Sequence, residues 1–100
     1  MQHNEIALDP SLEQAVREGR KRATIRKGVR PYGVGPGKIG DIPIEITRVQ
    51  VFKLAAVPER VARIDGFISK SHMIEGIREY YPDIDPLDEV TVVEFYVRDE

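Results

Sequence analysis

The sequence predicts a mixed α+β domain: one bent sheet, with barrel-like closure, flanked by short helices. Three observations carry this reading. Helical and strand periodicities follow one another along the chain without repeating as a fixed unit. The longest strand pattern changes phase partway, which marks a bulge and bends a sheet towards closure. The 100 residues suffice for one domain over 1–100.

Each element has a local cause. Asp9-Pro10 opens the first helix, because Asp9 can cap it and Pro10 suits its first position. Leu12, Ala15 and Val16 recur at helical spacing, and Gly19 is a natural stop. Residues 22–27 follow as a short strand, with Ala23 and Ile25 on one face and Thr24 and Arg26 on the other. Residues 28–41 hold five of the eight glycines and read as a long loop, with a further short strand near 30–34. In residues 42–54, Ile42, Ile44 and Ile46 alternate in one phase and Val49 and Val51 in the other. The bulge therefore falls near Thr47-Arg48. Residues 58–64 form a helix begun by Pro58. A last helix runs from about Ser71 to Tyr81, with Met73, Ile77, Tyr80 and Tyr81 facing inwards and Pro82 ending it. Residues 90–97 are a strongly β-prone final strand.

Composition limits the chemistry. There is no cysteine, hence no disulfide or thiolate metal site. His3 and His72 are too few for a histidine metal site. No cofactor is indicated. No apolar run approaches the about 20 residues needed to cross a bilayer, and the N-terminus lacks the order of a signal peptide. The expected setting is the cytoplasm, with no membrane partner. Nothing favours DNA.

The net charge is −2, yet residues 17–30 carry seven of the fifteen basic side chains. They are Arg17, Arg20, Lys21, Arg22, Arg26, Lys27 and Arg30, with Glu18 the only acid among them. A local cationic surface attracts phosphates, and a lysine beside a hydroxyl can support covalent chemistry. The plainer reading is a solvated helix end, where Arg17 and Arg20 complement the helix dipole. The five glycines match neither a dinucleotide fingerprint nor a P-loop, since Gly37-Lys38 lacks a following serine or threonine.

Four blocks resemble the ASCH family of the PUA-like superfamily. They are Gly19-Arg20-Lys21-Arg22-Ala23-Thr24-Ile25-Arg26, Asp65-Gly66-Phe67, Tyr80-Tyr81-Pro82 and Val92-Val93-Glu94-Phe95. The resemblance implies a mixed barrel of about five or six strands, flanked by two or three helices, with an RNA-associated cleft. One branch looks like amidohydrolases acting on N4-acetylcytidine through a lysine, a threonine three residues later and a glutamate. Lys21 and Thr24 match. The glutamate position holds Asp65, one bond shorter, and a misplacement of about 1 Å can cost about 10²-fold.

The implied roles are Thr24 as nucleophile, Lys21 as base and Asp65 as supporting acid. Neighbouring cations and burial would lower the lysine's pKa, whereas an anionic Asp65 would raise it. Arg20, Arg22, Arg26, Lys27 and Arg30 would hold substrate or RNA. A different-class alternative is a non-catalytic RNA-binding module using the same arginines, and a third is a ribonuclease. Against all of these, Thr24 reads equally as an ordinary strand threonine, Lys21 as a loop lysine and Asp65 as a helix-end residue.

Overall fold

The computed structural model describes residues 4–98; residues 1–3 and 99–100, and with them His3 and the last two acids, lie outside the described residues. The elements are β1 (Glu5–Ile6), α1 (Pro10–Arg17), β2 (Ala23–Lys27), β3 (Gly35–Ile39), β4 (Ile42–Lys53), α2 (Glu59–Ile64), α3 (Lys70–Tyr80) and β5 (Glu89–Val97). A single 3₁₀ turn at Leu54–Ala56 joins β4 to the segment before α2.

The five strands form one sheet in the order β1-β3-β4-β5-β2. Only β1 and β3 run parallel; the other pairs are antiparallel. β1 and β2 are the two edges and do not pair, so the sheet is open and at most a loose barrel. A side chain spans the gap: the Arg26 guanidinium of β2 donates to the carbonyl of Ala7, just past β1.

The bulge lies where the phase change puts it. Ile46 opposes Phe95 and Arg48 opposes Glu94, leaving Thr47 as the extra residue. The Thr47 hydroxyl donates to the Glu94 carbonyl at 3.3 Å. The slip carries Val49, in place of Arg48, onto the face of Ile42, Ile44 and Ile46. There Val49 packs against a core that also contains Ile6, Val16, Ile39, Val93 and Phe95. The opposite face carries Ile25, Val90 and Val92 beneath Val61, Ala62, Met73 and Ile77 of α2 and α3. Val51 stays 43% exposed.

Besides Tyr80, which was expected to face inwards and is 59% exposed, two expectations need correction. No strand forms at 30–34; the strand lies at Gly35–Ile39, inside the expected loop. Gly37 within it serves a close backbone approach. A Cβ on Gly37 would sit 2.5 Å from the Asn4 carbonyl oxygen. Gly40-Asp41 is the two-residue turn joining Ile39 to its partner Ile42, and Gly40 takes φ +57°. Secondly, α3 starts at Lys70 and not at Ser71, because the Ser69 hydroxyl accepts the His72 amide and caps the helix.

Candidate functional site

The site rests on two helix ends of the same kind. α1 ends with Glu18 as cap and Gly19 at φ +77°. The Gly19 amide then bonds the Val16 carbonyl and the Arg20 amide bonds that of Ala15, at 3.1 and 2.9 Å. α2 ends with Asp65 as cap and Gly66 at φ +105°. The Gly66 amide bonds the Arg63 carbonyl and the Phe67 amide bonds that of Ala62, both at 3.0 Å. Each pair of bonds is a Schellman closure, which only a residue tolerant of positive φ completes without strain. The two ends abut, as the Arg22 amide donates to the Ile64 carbonyl at 2.6 Å.

This arrangement delivers Lys21 from one turn and Asp65 from the other to a common point. The Lys21 ammonium donates to an Asp65 carboxylate oxygen, and both residues are only 7% exposed. Asp65 is therefore a helix cap and a member of the cleft at once. One bond shorter than glutamate, it still reaches the lysine. Burial pushes the Asp65 carboxyl above its ordinary value, and the charge and hydrogen bond of Lys21, with the charge of Arg26, act against that rise.

Beside the pair lies a cleft of about 80 Å³ between α1, β2 and α3. Its walls include Lys21, Thr24, Arg26, Asp65, Phe67 and Tyr81. Thr24 is 2% exposed and opposes Val93 across the ladder. Phe67 stands edge-on to His72, with ring centroids 5.2 Å apart. It lies against α3 only because residue 76 is glycine: a Cβ there would fall 2.6 Å from the Phe67 ring.

The remaining cations do not share this cleft as a group. Arg20 pairs with Glu18. Arg22 is exposed and lines a separate groove with Arg60 and Glu94. Arg30 turns its guanidinium back to the Lys27 carbonyl at 2.9 Å. Lys27 stands on the face of Ile25, two residues along the strand. Of the basic stretch, Lys21 and Arg26 alone line the cleft. Arg26 makes no ion pair with Glu94 or Glu45. Glu94 instead takes a bidentate contact from Arg60 at 2.8 and 3.2 Å, which holds its carboxyl below the ordinary glutamate range.

Sequence reasoning missed Asp9 and Gly76 as site residues. Asp9 was legible only as a cap, and it does accept the Ser11 amide at 3.0 Å. That bond holds its carboxyl below the ordinary value at the cleft mouth, beside Tyr80. The available signal for Gly76 was a glycine in mid-helix, which costs helix stability and calls for a packing reason. Among the described residues, no group of three or more histidine and carboxylate side chains could hold a metal ion. Likewise, no helix there is long and apolar enough to cross a membrane.

Among the described residues, an open five-stranded α+β sheet with three helices defines the class of this chain: it has the ASCH-domain fold. The ASCH domain from Lactobacillus crispatus JV V101 superposes with a TM-score of 0.76 at 17% identity, over 96% of this chain and 79% of that one. Protein EF3133 from Enterococcus faecalis V583, of the DUF984 family, gives 0.68 at 20% identity, over 99% and 82%. Hypothetical protein PH0355 gives 0.69 at 14% identity, over 97% and 100%. No family model and no curated protein matches the sequence.

Proposed function

We propose that the chain works in RNA or modified-nucleoside metabolism, as a hydrolase that removes the acyl group from N4 of an acylated cytidine. The observation that carries this reading is the buried Lys21–Asp65 pair beside Thr24 in one cleft. Moving a proton from the ammonium to the carboxylate replaces two buried charges with two neutral groups, a change that a dry site favours. The neutral Lys21 amine then takes the Thr24 hydroxyl proton as the oxygen attacks the acyl carbon. Arg26, whose charge already reaches Asp65, stabilises the oxyanion. The C–N bond breaks, and the N4 amine leaves with the Asp65 proton. Lys21 now holds the threonine proton and Asp65 is ionised; the pair exchanges a proton once more. Water adds to the acyl-threonine and gives a proton to Lys21; the ester C–O bond breaks, Asp65 returns its proton to the Thr24 oxygen, and acetic acid departs and ionises to acetate in water, which restores the ammonium–carboxylate pair.

The cleft also suits the substrate physically. Phe67, Tyr80 and Tyr81 offer aromatic walls to a flat pyrimidine. The scatter of Arg20, Arg22, Lys27 and Arg30 over different surfaces supports an enclosed small unit over an extended strand laid on one arginine-rich face.

The test is incubation of the purified protein with N4-acetylcytidine, reading cytidine by chromatography. Turnover that Thr24→Ala and Lys21→Ala both abolish supports the reading. Absence of turnover, with RNA affinity that falls on each arginine substitution and steeply with salt, would instead make the chain a binding module. Shortened RNA would make it a nuclease.

A further inference from the structure

A second depression adjoins the cleft. It measures about 490 Å³ and is lined by Leu12, Ala15, Arg20, Arg63 and Ile68 together with Lys21, Asp65 and Phe67. Leu12, Lys21, Asp65 and Phe67 line both hollows, so they stand as a shared wall between them. We propose that this depression receives the phosphate of a nucleotide whose base occupies the cleft, so that the true ligand is a phosphorylated cytidine unit. The proposal rests on the function above and specifies its substrate class.

Charge gives the pair of hollows a direction. Within the depression the Lys21 charge is met by Asp65 and the Arg20 charge by Glu18. Arg63, in the last turn of α2, is exposed and makes no ion pair among the described residues. It is therefore the uncompensated cation at this end, and a planar guanidinium suits bidentate phosphate recognition. The cleft, but not the depression, is lined by the exposed Asp9 carboxylate, which repels phosphate there and accepts hydrogen bonds from hydroxyl or amine groups. The apolar part of the depression is equally specific. Ile68 is 81% exposed beside Phe67, and a bare inorganic anion would leave it unused. A sugar-phosphate covers apolar surface and meets the arginine together. Arg20 and Arg63 belong to the two abutting helix ends that place Lys21 and Asp65, so the phosphate and reaction subsites share one rigid support.

Product analogues test this without requiring turnover. Binding of cytidine, cytidine 5′-monophosphate, cytidine 3′-monophosphate and a short oligocytidylate is measured calorimetrically at low and high salt. Wild type should bind at least one phosphorylated ligand about tenfold or more tightly than cytidine, with the margin narrowing in salt. Arg63→Gln should erase that margin and leave cytidine affinity unchanged. A mononucleotide preference assigns a free nucleotide, and an oligomer preference assigns a strand. Equal affinities, a margin untouched by Arg63→Gln, or no binding of any ligand would overturn the proposal. Hydrolysis of N4-acetylcytidine without phosphate preference would sink this inference alone. Phosphate preference without hydrolysis would sink only the hydrolase reading.

Discussion

Gly19 and Gly66 terminate α1 and α2 with the same pair of backbone hydrogen bonds, and the abutting turns bring Lys21 and Asp65 into contact. Neither glycine is crowded: a Cβ at Gly19 meets nothing within 4 Å, and one at Gly66 meets only the Arg20 carbonyl at 3.9 Å. Their requirement is conformational. Gly19→Ala and Gly66→Ala should each cost about 1–2 kcal/mol in urea unfolding and lower ligand affinity in the cleft. A neutral effect at both positions would contradict the account.

Lys21→Met should destabilise in a pH-dependent way. The folded-state Asp65 carboxyl lies above its ordinary value of 3.8. Its contribution to stability is therefore fully present below the unfolded value and is lost as pH rises through the folded one. Removing Lys21 removes the attraction that opposes this loss. The destabilisation should reach about 3 kcal/mol near neutrality and shrink in acid. The double variant Lys21→Met/Asp65→Leu should recover most of it. Urea titrations at several pH values measure both, and additive losses would refute the coupling.

Arg60→Ala should show a smaller effect that also fades in acid, for a different reason. Arg60 holds the Glu94 carboxyl below its ordinary 4.5. The stabilisation is present above the unfolded value and is lost as pH falls through the folded one. Arg60 is half exposed, so the loss near neutrality should stay below about 1 kcal/mol. A loss that persists unchanged well below pH 4.5 would contradict the assignment.

Gly76→Ala should be harmful despite alanine's better helix propensity of about 1 kcal/mol. The added methyl falls 2.6 and 2.9 Å from two Phe67 ring atoms, so the ring must leave α3. Weaker binding in the cleft, with no gain in thermal midpoint, is the expected result. Higher stability with unchanged binding would show that Phe67 has room to move.

The legible parts of this chain were those with local causes. Pro10, Gly19, Pro58 and the phase change at Thr47 announced their elements because capping, φ restriction and strand period act within a few residues. β1 and β3 were not legible. Two residues carry too little periodicity, and the glycines of β3 read as loop until Asn4 is seen packed against Gly37. The site was half legible. The spacing of Lys21 and Thr24 lies within one motif, whereas the meeting of Lys21 with Asp65 spans 44 residues and depends on the abutting turns. Arg26 reaching Ala7, and Arg63 beside the second depression, are tertiary facts of the same kind.

The hydrolase reading stands on Thr24 as the source of a nucleophilic oxygen and not merely as a strand residue. The most direct measurement compares N4-acetylcytidine hydrolysis by wild type, Thr24→Ser and Thr24→Ala, with folding checked by circular dichroism. The account predicts that serine, which keeps the hydroxyl, retains measurable turnover, while alanine loses about 10³-fold or more. Wild-type turnover that survives in folded Thr24→Ala, or no turnover by wild type at all, would contradict it.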